Sequence, residues 1–390
     1  MEPGYNKKMQ HSDFNKDTAT YLVESQKGYW AFVPPPLEPT LDLNLQIVNR
    51  LTEAERALGE LAGVARTLPN PHLLIGPFLR REAVLSSRIE GTQASLSDLF
   101  FFEAASLREK EVPDVREVAN YVTALEYGLN RLNEIPVSLR LIREIHEKLM
   151  TGVRGEHKTP GEFRKTQNWI GPPGCTLMDA TYVPPPAPEM FKALDSLEKY
   201  FHSQSKFPPL IKLALVHYQF EAIHPFLDGN GRIGRLLTTL LLCARNLIPQ
   251  PLLYLSAYFE QHRDEYYQYL LGISLRGDWE SWILFFLDAV SSQSTNAIDR
   301  SDQLLLVWQR YKEQLHKAKA SALLLRLVDE LFAYPVITNR TASEKLKITP
   351  RSAQMNIDKL ISFGIIEEST GRQRNRVYVA QEIIDIIEKN

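Results

Sequence analysis

The sequence predicts a mainly α-helical protein with one β-hairpin insert, an N-terminal helical segment and a C-terminal winged helix-turn-helix unit. Three observations carry that expectation. Apolar residues recur at helical spacing through most of the chain, and residues 161–184 interrupt its central part with two short β-prone runs around a Pro/Gly turn. Beyond Trp308 the pattern changes to helix, short helix, turn, helix and a β-wing. With 390 residues, 44% of them hydrophobic, the chain can bury a sizeable core. We divide it into residues 1–110, 111–300 and 301–390.

In the first segment, residues 41–66 read as a helix that Pro69-Asn70-Pro71 ends. A second helix is expected over 73–90, with Gly91 where helices commonly stop. Ending a helix on Glu90 sets a carboxylate against the negative end of the helix dipole, which is unfavourable unless a cation approaches from elsewhere. The middle segment reads as helices over 115–132, 139–150, 188–201, 210–223 and 233–246, interrupted by the hairpin with arms 161–171 and 179–184. In the last segment, helices are expected over 323–331, 341–346 and 351–363, the third in the recognition position, with a strand at 377–379. Arg372, Arg374 and Arg376 at the wing tip could meet phosphates. Yet Arg351, Ser352, Gln354, Asn356 and Lys359 make a thin basic face, and Glu367 and Glu368 sit at the wing base. Protein docking is therefore favoured over DNA for this unit.

Composition narrows the rest. A net charge of −2 gives no global push toward nucleic acid or an anionic membrane. Cys175 and Cys243 form no C-x-x-C pair, which argues against a disulfide scaffold or a cysteine zinc site. There is no basic start followed by an apolar stretch, and no apolar run of about twenty residues. The expectation is a soluble, cytoplasmic protein. No Walker loop, zinc motif or serine-hydrolase elbow is present.

The chemistry concentrates between Ile223 and Leu236, where the chain reads His224-Pro225-Phe226-Leu227-Asp228-Gly229-Asn230-Gly231-Arg232-Ile233-Gly234-Arg235. A base, a carboxylate, a glycine-rich loop and two arginines precede an apolar helix. Glycines at a helix start free backbone N–H groups to cradle an anion. Arg232 and Arg235, three apart, share a helix face but oppose the dipole of the first turn, which makes sense if a polyphosphate lies against that end.

This string resembles the signature of the Fic family, His-Pro-Phe-x-Asp/Glu-Gly-Asn-Gly-Arg-x-x-Arg, at every fixed position. The resemblance implies a helical Fic core and transfer of AMP from ATP to a Tyr, Thr or Ser hydroxyl of a target protein, and of the enzyme itself. His224 would be the general base, a neutral imidazole near its ordinary pKa. Asp228 would hold Mg²⁺ against the phosphates. Gly229, Asn230 and Gly231 would supply the anion nest, and Arg232 and Arg235 would neutralise the outer phosphates. Ser86-x-x-x-Glu90-Gly91 is similar to the family's inhibitory motif, with Glu90 pairing with Arg235 and denying the γ-phosphate its seat. Because this motif precedes the core, the chain resembles the class with an N-terminal inhibitory helix.

The hairpin would be the family's flap, residues 163–183, on which a target segment docks by strand pairing; Asn168 to Gly171 and Ala180 to Val183 are the positions of interest. Tyr258, His262 and Tyr266, four apart, would share one helix face. The family's Tyr-Tyr pair lining adenosine matches Tyr266-Tyr267, and Gln219 is a further candidate. A homodimer is expected from the family alone. Two other readings stay open: a DNA-binding regulator with a nucleotide-sensing core, and an enzyme that removes AMP.

Overall fold

A computed structural model describes residues 8–67, 72–105, 113–155, 157–372 and 374–389. The expected helix stop at Pro69 to Pro71 and the division at 110 lie outside the described residues. The centre of the molecule is a helix pair, α7 (Pro209–Ile223) and α8 (Asn230–Ala244), buried on nearly every face. A helix apolar all round has no solvent face to present and so must be surrounded.

The surrounding elements follow in chain order. A short antiparallel pair, β1 (Leu22–Glu24) and β2 (Trp30–Phe32), precedes α1 (Leu45–Thr67), α2 (His72–Ile89), α3 (Leu96–Ala105), α4 (Pro113–Arg131) and α5 (Leu139–Met150). Helices α4 and α5 pack together and against α8, and α2 packs on α4, α8 and a later helix, α9. Helix α6 (Ala187–His202) covers α7. After α8 come α9 (Ser256–Gln261), α10 (Arg263–Arg276) and α11 (Trp279–Lys317). Trp282, fully buried on α11, donates its indole N–H to the Ala214 carbonyl at 2.9 Å and so ties α11 to α7.

Helix α11 runs 39 residues without a break, straight through the division expected at residue 300. Its stretch Ser291 to Asn296 is wholly polar, yet Gln293 and Ser294 are buried there, as are Arg300 and Ser301 further on, and α1 packs along this helix. The C-terminal part then folds as α12 (Ala322–Ala333), β3 (Val336–Thr338), α13 (Asn339–Leu346), α14 (Pro350–Ser362), β4 (Glu367–Glu368), β5 (Val377–Val379) and α15 (Gln381–Glu388). Ser321, Thr338 and Thr349 each cap the following helix by accepting a backbone N–H three residues on. The strands form one antiparallel sheet in the order β3-β5-β4.

The hairpin expected over 161–184 is much less regular than a ladder. A single antiparallel bridge joins Ile170 to Tyr182. Prolines at 172, 173 and 184–186 have no N–H to extend it. The outer edge of the second arm is covered from within the chain: Met9 N–H donates to the Ala180 carbonyl and Phe32 N–H to the Val183 carbonyl, both at 2.9 Å.

Candidate active site

The loop between α7 and α8 is built by side chains that grip its backbone. Helix α7 ends at Ile223, and His224 takes a left-handed conformation (φ 48°, ψ 61°), a strained choice for a residue with a Cβ. Its carbonyl is held by Arg164 Nε at 2.9 Å and Asn168 Nδ2 at 3.0 Å. Arg164, only 1% exposed, also donates to the Pro185, Thr166 and Ile223 carbonyls. Four of its five N–H donors are spent on backbone oxygens.

Further on, Asn230 accepts the Phe226 N–H and donates to the Phe226 carbonyl, both at 2.8 Å. Phe226 is fully buried and stacks flat on His146 at 3.7 Å. His146 Nδ1 accepts the Gly161 N–H at 2.9 Å, so its Nε2 is the end that donates to the Asp228 carbonyl at 3.0 Å. Burial pushes the His146 pKa down to about 4, so it is a neutral structural clamp.

The imidazole of His224 is oriented by the chain that precedes it. Its Nδ1 lies 3.3 Å from the Glu221 carbonyl oxygen; with the proton assigned to Nδ1, Nε2 carries the lone pair. The expectation of an ordinary pKa is not met. Burial, and after it the neighbouring Arg164 cation, lower it to about 4, against the opposing pull of the Glu221 carbonyl, Glu90 and Asp228. An NMR titration of His224 in the nucleotide-free protein is expected to show its midpoint near 4. A midpoint in the ordinary histidine range of about 6.5 would contradict this reading of the site.

Helix α8 starts at Asn230, after Gly229 in the left-handed region (φ 76°). Its first N–H groups, those of Asn230, Gly231 and Arg232, have no acceptor within the helix. The two arginines, expected side by side, diverge to opposite walls. Arg232 is 4% exposed and lies 3.4 Å from Glu117 of α4 and 3.8 Å from Asp228. Arg235, 3% exposed, turns to α2: Nε donates to Ser86 Oγ at 2.8 Å, and Nη2 donates to the Ser86 carbonyl at 2.9 Å and Glu90 Oε1 at 2.8 Å. Helix α2 ends at Ile89, one residue short of the expected stop, and Gly91 follows with φ 95°.

Desolvation by its neighbours raises the Glu90 carboxyl, but Arg235, with Arg232 behind it, outweighs that and the pKa falls below the ordinary value, although about a third of the side chain stays open to solvent. Glu90 also stands over the helix start, for a Cβ placed on Gly231 would lie 2.2 Å from its Oε1. Any side chain at Gly231 would therefore expel Glu90.

Asp228 accepts the Gly229 N–H at 2.7 Å and pairs with Lys158 Nζ at 3.1 Å. Lys158 carries no signal in the sequence that marks it for this site. One carboxylate fits a Mg²⁺ whose remaining ligands are nucleotide phosphates and water, the usual arrangement for that ion. Among the described residues no group of three or more His, Cys, Asp or Glu could hold a metal without such help.

Another carboxyl that sequence reasoning missed is Glu221. Its Oε1 is buried without a hydrogen-bond partner, and burial pushes its pKa up to about 8, against the pull of Arg235. Space for it comes from Gly234, where a Cβ would lie 2.1 Å from that oxygen.

The adenine candidates separate. His262 falls at the break between α9 and α10, so Tyr258, His262 and Tyr266 do not share one helix. Tyr258 and His262 do remain in ring contact at 4.4 Å. Tyr266 is 1% exposed, stacks on Phe259, and shares a hydrogen bond of 2.9 Å with His217 Nε2, so its ring belongs to the core. Tyr267 beside it is half-buried. Gln219 is turned away from the loop: its amide donates to the Pro35 carbonyl at 2.8 Å and anchors the N-terminal segment.

The flap arm nearest the loop is pinned by Asn168, which donates to the carbonyls of both His224 and Phe226. Trp169, next along this arm, is 41% exposed.

The residues that bring together this base, acidic loop and glycine-rich helix start belong to a Fic/DOC domain. Residues 48–130 match the family model described as Fic/DOC family N-terminal, and residues 136–242 match Fic/DOC family. Curated relatives named protein adenylyltransferase Fic are 28% identical over 182 residues in Drosophila erecta and 29% identical over 184 residues in Aedes aegypti. Each alignment covers 46% of this chain and 33% of the relative, so the chain spans about a third of their length.

Among solved structures, a Fic family protein from Desulfovibrio desulfuricans G20 is similar with a TM-score of 0.56 at 19% identity, over 88% of this chain and 98% of that one. Fic-1 (aa134 - 508) from C. elegans gives a TM-score of 0.50 at 19% identity, over 66% of this chain and 74% of that one. These likenesses bear out the mainly helical Fic fold. No helix among the described residues is long and apolar enough to cross a membrane.

Proposed function

We propose that the protein is an ATP-dependent protein adenylyltransferase held in check by Glu90. The observation that carries this reading is the triple grip on Arg235 by Ser86 and Glu90, beside a His224 whose Nε2 is free to accept a proton. The names of the relatives support the same reaction.

In this reading Arg235 and the N–H groups at the α8 start seat the polyphosphate, and Arg232 supports the second phosphate side. Asp228 would release Lys158 and hold Mg²⁺, which when bound supplies charge neutralisation at the α- and β-phosphates. His224 Nε2 takes the proton of the target hydroxyl as its oxygen forms the new bond to the α-phosphorus. The bond from that phosphorus to the bridging oxygen breaks, and pyrophosphate leaves. With Arg235 on Glu90, the γ-phosphate has no cation to orient it and this alignment fails.

Because the N-terminal segment already covers the outer arm of the flap, a target strand would pair along Asn168 to Gly171. The C-terminal unit, read as a winged helix, exposes Met355 (57%) on its recognition helix, and Asp358 there accepts from Gln354. That surface suits a protein better than a phosphate backbone.

The test is an intact-mass spectrum of Glu90→Gly after incubation with Mg²⁺-ATP. Addition of one or more AMP units is expected; addition of phosphate, or no addition to folded protein, would overturn the assignment.

A further inference from the structure

The helix that carries Glu90 has a second master. Its C-terminal end faces Arg235, while its first half faces the C-terminal unit, and α12 and α15 both pack against α2. At Gly76 the approach is close: a Cβ there would lie 3.3 Å from the Ala333 carbonyl oxygen and 3.5 Å from the Ala333 Cα. Pro77 follows inside the helix, and its missing N–H weakens α2 at this point of contact.

One turn later, Arg80 is 4% exposed and donates to Glu103 of α3 at 2.6 Å and to the Gly76 carbonyl at 3.0 Å. Its guanidinium also lies 4.7 Å from the centre of the Tyr334 ring. Tyr334 directly follows α12, and its ring carries a second cation, Lys345 of α13, at 3.3 Å. The neighbouring helix α3 is held as well, since it packs on β3 and β5, and Ser97 lies 3.4 Å from Glu388.

From Arg80 to Glu90 the helix spans about 15 Å. Between them Glu82 accepts from Tyr121 of α4 at 3.0 Å and from Ser256 of α9, which pins this point of α2 and makes it the pivot on which the two ends of the helix tilt together.

We propose that the C-terminal unit is the regulatory latch of the enzyme: Tyr334 and the Ala333 backbone hold α2 at Arg80 and Gly76, and so keep Glu90 on Arg235. Withdrawing the Tyr334 ring frees the first half of α2, and the Glu90 end follows. The coupling runs both ways, so nucleotide that displaces Glu90 also loosens the C-terminal unit. This inference rests on the reading of Glu90 as the brake.

The test compares the unaltered chain, Tyr334→Ala, Tyr334→Phe, Glu90→Gly and Tyr334→Ala/Glu90→Gly by initial rate of AMP transfer from ATP. Amide hydrogen exchange is followed over residues 84–90 and over α7. Tyr334→Ala is expected to raise transfer on the order of three- to tenfold, the range for losing one largely desolvated cation–π contact. Tyr334→Phe keeps the ring and should match the unaltered chain. The double variant should be no faster than Glu90→Gly alone.

Exchange over 84–90 should quicken in Tyr334→Ala while α7 stays protected. A gain in transfer cannot come from misfolding, which would lower it; if Tyr334→Ala does not fold, Arg80→Lys takes its place with the same expected direction. Unchanged transfer and unchanged exchange over 84–90 would overturn the latch. Should Glu90→Gly fail to transfer AMP, the functional reading falls, and the exchange result alone then decides whether the C-terminal unit holds α2.

Discussion

Glu90→Gly is expected to raise AMP transfer by roughly ten- to a hundredfold over the unaltered chain. Hydrogen bonds to charged groups contribute about 1.5–3 kcal/mol, and a third of the Glu90 side chain is in contact with solvent, which places the loss toward the lower part of that range. Removing the carboxylate changes the occupancy of the Arg235 seat by the corresponding factor. Ser86 stays in place, with its Oγ and carbonyl both accepting from Arg235, so the arginine remains oriented but has Nη1 and one side of Nη2 open. Glycine at 90 also clears the oxygen that overhangs Gly231, exposing the first N–H groups of α8. Initial rates with α-phosphate-labelled ATP measure the effect. A rate equal to that of the unaltered chain would mean that the Glu90–Arg235 pair does not restrain the reaction.

His224→Ala in the Glu90→Gly background is expected to lower transfer by about 10²–10⁴-fold, the usual contribution of a general base. The loop should survive the change. Its backbone is held through the His224 carbonyl by Arg164 and Asn168 and through Phe226 by Asn230, and none of these hydrogen bonds involves the imidazole. Binding of ATP, read by calorimetry, should therefore stay within a few-fold. Loss of both transfer and ATP binding would instead assign His224 a structural role.

Glu82 adds a pH dependence of stability that is separate from catalysis. It is buried under Tyr121 and Ser256, and burial pushes its pKa up to about 7 despite those donors and Arg235. A carboxyl raised in the folded state favours folding in its protonated form. Its contribution is complete below the ordinary carboxylate pKa of about 4.3 and is lost as pH rises through about 7. Glu82→Gln should flatten the decline in denaturation midpoint across that window, and an unchanged slope would contradict the assignment.

Much of the helical pattern is readable from periodicity, because α4, α5 and α6 each show one apolar face to the core. Helix α5 begins and ends at the expected residues, with Ser138 accepting the Leu141 N–H as its cap. Residues 224–235 are legible because their chemistry is contiguous in sequence. What supports them is not. His146 reaches Asp228 across 82 positions, Lys158 reaches it across 70, and Arg164 reaches His224 across 60. A lone buried arginine or histidine in a helical pattern carries no sign of the carbonyl it will meet.

Helix α11 hides for another reason. Its polar middle is partly buried and α1 packs along the helix, so tertiary packing carries one continuous helix past the point where the composition changes. The flap departs from a regular hairpin because prolines remove its donors and the N-terminal segment takes one edge, a partner more than a hundred residues away in the chain.

The most direct test of the account is to present folded Glu90→Gly with Mg²⁺ and ATP labelled either at the α- or at the γ-phosphate, and to count label retained on protein. The account predicts label from the α-position alone, abolished by His224→Ala. Label from the γ-position, or none from either, would contradict it.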